Sequence, residues 1–161
     1  MRKGADVALE FVDGSEKASL YTINFIGDSE TEFGKFISKY KSDAKLSRDY
    51  QLIVAALVKI LDNGALERYF RPEGKMSDGV CALPIDCGKL RLYCLRLTDK
   101  ILILGNGGKK STKTYNEDLE LSGYVLTLQK FEALIKLGLK NKTITIEETL
   151  INGYEDKTFQ L

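Results

Sequence analysis

Between Lys89 and Tyr115 the chain reads KLRLYCLRLTDKILILGNGGKKSTKTY, in which cationic and aromatic residues alternate with apolar ones before a lysine-rich stretch. From Asp86 to Lys113 there are seven basic residues (Lys89, Arg91, Arg96, Lys100, Lys109, Lys110 and Lys113) and two acids (Asp86 and Asp99). The local net charge is +5 in a chain that totals +1. The remainder therefore carries −4. This asymmetry sets a positive field over one part of the molecule and selects a polyanionic partner, RNA first. RNA cleavage by attack of the 2′-OH needs a base, a stabiliser of charge on the phosphate and an acid for the departing oxygen. The adjacent pair Lys109 and Lys110 is a setting in which one amine is pulled down by its neighbour to serve as base. Arg91 and Arg96 suit bidentate phosphate contact. Tyr93 or Tyr115 can stack on an unpaired base, with Lys89 alongside. The chain has no histidine, which removes every imidazole-based triad and most zinc sites. The chemistry calls for no metal and no cofactor.

Strand parity sharpens this reading, because alternate side chains of a strand point to opposite faces. Lys89, Arg91 and Tyr93 share one parity. Leu90, Leu92 and Cys94 share the other with Arg96, which falls on the apolar face or at its margin. The first face reads equally as an RNA platform or as a solvated sheet face. The segment Gly105-Asn106-Gly107-Gly108 before Lys109 departs from the phosphate-cradling pattern G-x-x-x-x-G-K-[ST], since Lys110 stands where Ser or Thr is needed. Its glycines read instead as a sharp turn after a buried strand, and no helix pattern begins directly behind the lysines.

The elements that position these residues follow from periodicity. Residues 5–12 and 18–26 flank Asp13-Gly14-Ser15 as a β-hairpin. Ser29 and Glu32 form a capping box ahead of Phe33, Phe36, Ile37 and Tyr40 at helical spacing. A second helix begins after Ser47, carries Tyr50, Ile53, Val54, Leu57, Ile60 and Leu61 inward, and stops at Asn63-Gly64. LERYF adds a further helical turn, RPEGKMSDG a loop, and CALPI a short edge strand because Pro84 cannot donate to a ladder. Lys89–Leu97 and Ile101–Leu104 pair through Thr98-Asp99-Lys100. The sequence TLQKFEALIKLGLK is helical, with Leu128, Phe131, Leu134, Ile135 and Leu139 on one side. Thr143–Glu148 alternates as a last strand, and YEDKTFQL frays. The order predicts an α+β fold, a mostly antiparallel sheet packed by the N-terminal helices.

At 161 residues and 43% hydrophobic content, the chain buries one core. The odd cysteine count, Cys81, Cys87 and Cys94, fits reduced structural thiols. With no long apolar run, the expected protein is soluble and cytoplasmic, without membrane contact.

Residues 80 to 118 resemble the RelE/HigB-type toxins of bacterial toxin–antitoxin pairs, particularly the phage-derived HigB-like branch. There an arginine-bearing strand precedes a hydrophobic strand and then K-K-x-x-K-T, here Lys109-Lys110-Ser111-Thr112-Lys113-Thr114. Agreement extends more loosely through the helices at 29 to 63. Tyr115 stands where the family commonly has proline, and Gly105-Asn106 replaces a histidine often found before the lysines. The resemblance implies a RelE-like core at 28–118, with an added hairpin at 1–27 and a helix and strand at 119–161. It implies a ribosome-dependent messenger RNA endoribonuclease and a cognate antitoxin protein as partner. Arg91, Arg96, Lys109, Lys110 and Lys113 take the place of the family's basic active-site set. A non-catalytic module binding RNA, ribosome or protein on the same fold stays open beside it. Convergence of the basic residues in one concave patch decides between them.

Overall fold

The structure is a computed structural model that describes residues 5–73, 78–85, 88–110 and 115–161, with the side chains of 115–118 outside that description. Alternating apolar residues near the N-terminus pair as expected, β1 (Asp6–Gly14) antiparallel to β2 (Ser19–Phe25). Two helices follow, α1 (Glu32–Tyr40) and α2 (Ser47–Asn63). The expected capping box at Ser29 gives way to Thr31, whose Oγ1 accepts from Gly34 N at 3.0 Å. Both positions offer a capping hydroxyl, and the shift makes Glu32 the first helical residue, free of any capping task. The stop after Asn63 is as read: Gly64 adopts φ 102°, which L residues rarely take, and its N–H closes on Ile60 O at 2.7 Å. LERYF forms only a 3-10 turn at Glu67–Tyr69.

Four strands complete the second half of the sheet: β3 (Arg71–Pro72), β4 (Val80–Leu83), β5 (Leu90–Thr98) and β6 (Ile101–Lys109). The short CALPI strand is not the edge, because β3 pairs outside it through Arg71 and Pro72. The long helix α3 (Tyr115–Asn141) follows β6, and β7 (Thr145–Glu147) pairs with β8 (Leu150–Asn152) in a separate ribbon. The expected frayed tail instead contributes β9 (Phe159–Gln160), antiparallel to β1. Phe159 is buried, its ring edge-on to Phe131 at 5.0 Å.

The seven-stranded sheet runs β3-β4-β5-β6-β2-β1-β9 and is antiparallel except where β2 lies parallel to β6. The fold is α+β with three helices, which cover both faces. Leu20, Phe36, Ile53, Ile60, Leu90, Leu92 and Cys94 fill the layer under α1 and α2. Tyr21, Ile23, Tyr93, Leu95, Leu128, Phe131 and Ile135 fill the layer under α3. The face read as cationic and open is thus the floor of a second core.

One segment departs from its sequence reading in a way that shapes the site. Gly105 to Gly108 form no turn; they are the second half of β6. None of the three glycines there takes a positive φ. Their value is closeness: a Cβ at Gly107 would lie 2.0 Å from Arg91 O, and one at Gly108 would lie 2.8 Å from Leu121 Cδ2. β6 lacks side chains where the β5 backbone and α3 come nearest, and this lets α3 begin at Tyr115, close behind the lysines.

Candidate functional site

The ends of β5 and β6 bring part of the basic set together. Leu90 pairs with Lys109 in register, and Lys110 N donates to Lys89 O at 2.7 Å. Asp49, in the first turn of α2, accepts from Lys89 N at 2.6 Å and Leu90 N at 3.2 Å, which fixes where β5 begins. Lys89, Lys109 and Lys110 are exposed at this one end of the sheet. Lys110 and Tyr93 share a cleft of about 420 Å³ with Glu73, Ser122 and Gln129. Lys113 and the Tyr115 side chain lie outside the described residues.

The two arginines do not join them. Arg91 is 6% exposed, and its Nη1 donates to Gly88 O at 2.9 Å and Leu90 O at 3.0 Å. Burial, then the nearby Arg71 cation, draw its pKa down. Tyr93 is 3% exposed beneath α3, so its ring serves the core and is closed to stacking on a base. Arg96 pairs with Leu102, which lies in the opposite core layer, and its Nε donates to Ala65 O at 2.6 Å. It borders a different cleft, beside Glu67, Glu73 and Asp78. Arg91 and Arg96 therefore sit on opposite faces of the sheet and form no common phosphate clamp. The parity of the strand already separated them; the helix layer that covers Tyr93 did not show in the sequence.

A second polar constellation, missed from the sequence, fills the seam between α1 and α3. Lys35 Nζ donates to Asp28 Oδ2 at 2.5 Å and Glu32 Oε2 at 2.6 Å. Burial lowers the Lys35 pKa, yet these two carboxylates outweigh it and leave it raised. One turn on, Lys39 Nζ donates to Gly107 O at 2.7 Å and lies 3.3 Å from Tyr124 Oη, which donates to Glu120 Oε1 at 2.5 Å. Burial holds the Lys39 ammonium below the ordinary lysine range against the pull of Glu120 and Glu32. Burial and the Glu120 hydrogen bond raise the Tyr124 phenol. The available signal was the i, i+3, i+7 spacing of Glu32, Lys35 and Lys39 on α1. Its partners come from β6 and from the early part of α3, both read otherwise.

Cys81 and Cys94 are buried register neighbours on β4 and β5 and carry free thiols. Burial pushes Cys81 up to about 12 and raises Cys94 as well. Neither is a nucleophile near neutral pH. Cys87 lies outside the described residues. Among the described residues, no group of three or more His, Cys, Asp or Glu is placed to hold a metal ion.

No protein-family model, curated protein or solved structure matches the chain.

Proposed function

We propose that the protein is a toxin of the RelE/HigB kind, a ribosome-dependent messenger RNA endoribonuclease of a toxin–antitoxin pair. The observation that carries this reading is the grouping of exposed Lys89, Lys109 and Lys110 at one end of the central strands, beside the cleft that Lys110 borders. Lys113 follows Lys110 by three positions in the sequence. The α+β frame, with two helices ahead of the arginine-bearing β5 and the apolar first half of β6, supports it. In this reading the lysines grip the message backbone and stabilise charge on the scissile phosphate, while the ribosome supplies positioning that a sparse site lacks. Arg91 is a positioning residue: its bonds to Gly88 O and Leu90 O hold the strand end from which Lys89 projects. The message on the ribosome and an antitoxin protein are the partners, in the cytoplasm.

The opposed placement of Arg91 and Arg96 favours a second reading, a non-catalytic module that binds RNA, ribosome or a protein on the same fold. One assay separates the two. The purified protein is added to a reconstituted bacterial translation reaction and message ends are mapped by primer extension, beside a Lys109→Ala/Lys110→Ala/Lys113→Ala variant. The proposal expects new cuts that require the ribosome and disappear in the variant. Intact message at high protein concentration overturns it and leaves the binding module.

A further inference from the structure

Helix α3 buries one face against the sheet through Leu121, Leu128, Phe131 and Ile135. Its opposite face is also apolar. Leu119 is 53% exposed, Leu126 40% and Leu137 53%, and Ala133 is exposed between the last two. Single surface leucines are ordinary, but these are not scattered. At 3.6 residues per turn, steps of seven, seven and four place all four within a strip about 40° wide that faces away from the buried side. Gly123 and Lys130 fall at its margin. In order, Leu119, Gly123, Leu126, Lys130, Ala133 and Leu137 alternate steps of four and three, the a/d spacing of a seam between two helices. The described residues leave this seam open.

Two properties of the strip select a second copy of this chain as its occupant. It is self-complementary when two copies of α3 run antiparallel about a two-fold axis level with Leu128. Leu119 then meets Leu137 of the second copy, Gly123 meets Ala133, and Leu126 meets the stem of Lys130, whose ammonium reaches past it to water. The small pair lets the helices approach, and the leucines fill the seam at either end. Charge is also polarised along the helix. Glu117, Asp118 and Glu120 stand in its first two turns, and its second half carries Lys130, Lys136 and Lys140. Glu132, the acid of that half, is buried and accepts from Gly79 N at 2.9 Å. Antiparallel pairing lays the acidic end of each helix along the basic end of the other and opposes the two helix dipoles, whereas parallel pairing sets like against like.

We infer that the protein forms a two-fold homodimer through the outer face of α3, with the two helices antiparallel. Ser122 and Lys136 lie two heptads apart on one flank of α3, so this pairing carries Lys136 of the second copy to Ser122, at the rim of the cleft that Lys110 borders. Each basic end thereby gains a lysine from the other copy. The inference stands apart from the ribonuclease reading, and its test uses no RNA. Sedimentation equilibrium of the full-length chain, from about 1 to about 100 µM, follows the mass-action rise from the mass of one chain toward that of two. Leu126→Lys, at an exposed position, sets a second ammonium against Lys130 of the other copy and weakens association by about tenfold or more, while the circular dichroism spectrum stays that of the parent. Oxidative cross-linking reads the orientation. A Cβ at Gly123 would meet nothing within 4 Å, and Ala133 is exposed, so both positions accept cysteine. They are about 15 Å apart along one helix, too far for a bond within one chain. Gly123→Cys/Ala133→Cys gives a disulfide-linked dimer, and either change alone links no more than the parent. The mass of one chain at every concentration overturns the inference and leaves the strip to a different partner. Undiminished association in Leu126→Lys, or added cross-linking in either single cysteine variant, overturns it as well.

Discussion

A guanidinium offers five N–H donors in a rigid plane, and a buried one must place them on acceptors. In Arg91 one nitrogen bridges the carbonyls of Gly88 and Leu90, so the side chain binds its own strand's entrance. This makes Arg91 and Lys110 separable in experiment although both belong to the same basic segment. Arg91→Ala removes charge-assisted bonds and leaves buried carbonyls open, with an expected loss of about 2 to 3 kcal/mol in urea unfolding. Lys110→Ala, at an exposed position, stays within about 0.5 kcal/mol of the parent. If the proposed function holds, the ranking for message cleavage at full folding reverses, with Lys110→Ala the more damaging. The cysteines give a second residue-level check. Burial keeps Cys81 and Cys94 as thiols, so neither is alkylated by iodoacetamide near pH 8 until denaturant is added, which peptide mass spectrometry reads residue by residue.

At the scale of elements, β6 decides how closely the layers meet. Gly107→Ala places a methyl 2.0 Å from a backbone oxygen of β5, which has no means of yielding. Its expected cost exceeds about 3 kcal/mol, beyond the usual range for overpacking. Gly108→Ala meets a leucine methyl at 2.8 Å, a flexible group, and costs about 1 to 2 kcal/mol; paired denaturant curves rank the two. The same strand shows why some elements were legible and others not. α2 was readable because six apolar residues keep helical spacing up to Asn63-Gly64. The end of β6 was not, since glycines carry no side chain to reveal an alternation. The first half of α3 was hidden because Gly123 and polar residues interrupt its stripe before Thr127. β9 was hidden because Phe159 finds its place against Phe131 and Val7, far away in sequence. For the site, exposed charge at Lys89, Lys109 and Lys110 was visible in composition alone. The covering of Tyr93 by α3 and the placing of Glu32 and Asn106 along one cleft depend on tertiary packing, which no local pattern encodes. Deleting Phe159–Leu161 tests the docked tail: loss of a core phenylalanine lowers stability by about 3 to 5 kcal/mol, visible as a large fall in the melting temperature.

For the whole molecule, the relevant quantity is where charge sits, because a total of +1 conceals it. Among the described residues no helix is long and apolar enough to cross a membrane. Lys89, Lys109 and Lys110 are exposed together at the β5–β6 end, with Glu73 and Glu120 bordering the clefts beside Lys110 and Lys109. A localised patch of this kind binds RNA through counterion release, and its reach is limited by the Debye length, so the effect belongs to the patch and not to the net charge. The reading then sets a number for salt dependence. Each phosphate neutralised on a single strand contributes about 0.7 to the slope of log K against log salt. Replacing Lys89, Lys109 and Lys110 together by alanine lowers that slope by about 2. Fluorescence anisotropy of a labelled single-stranded RNA, followed from about 50 to about 200 mM salt, measures both slopes. Replacing the exposed Lys17, Lys59 and Lys140 instead conserves the overall charge change and leaves the slope as it was. Equal slopes in the two triple variants would show that the chain attracts RNA by overall charge alone, and the basic end would lose its claim to be the interface.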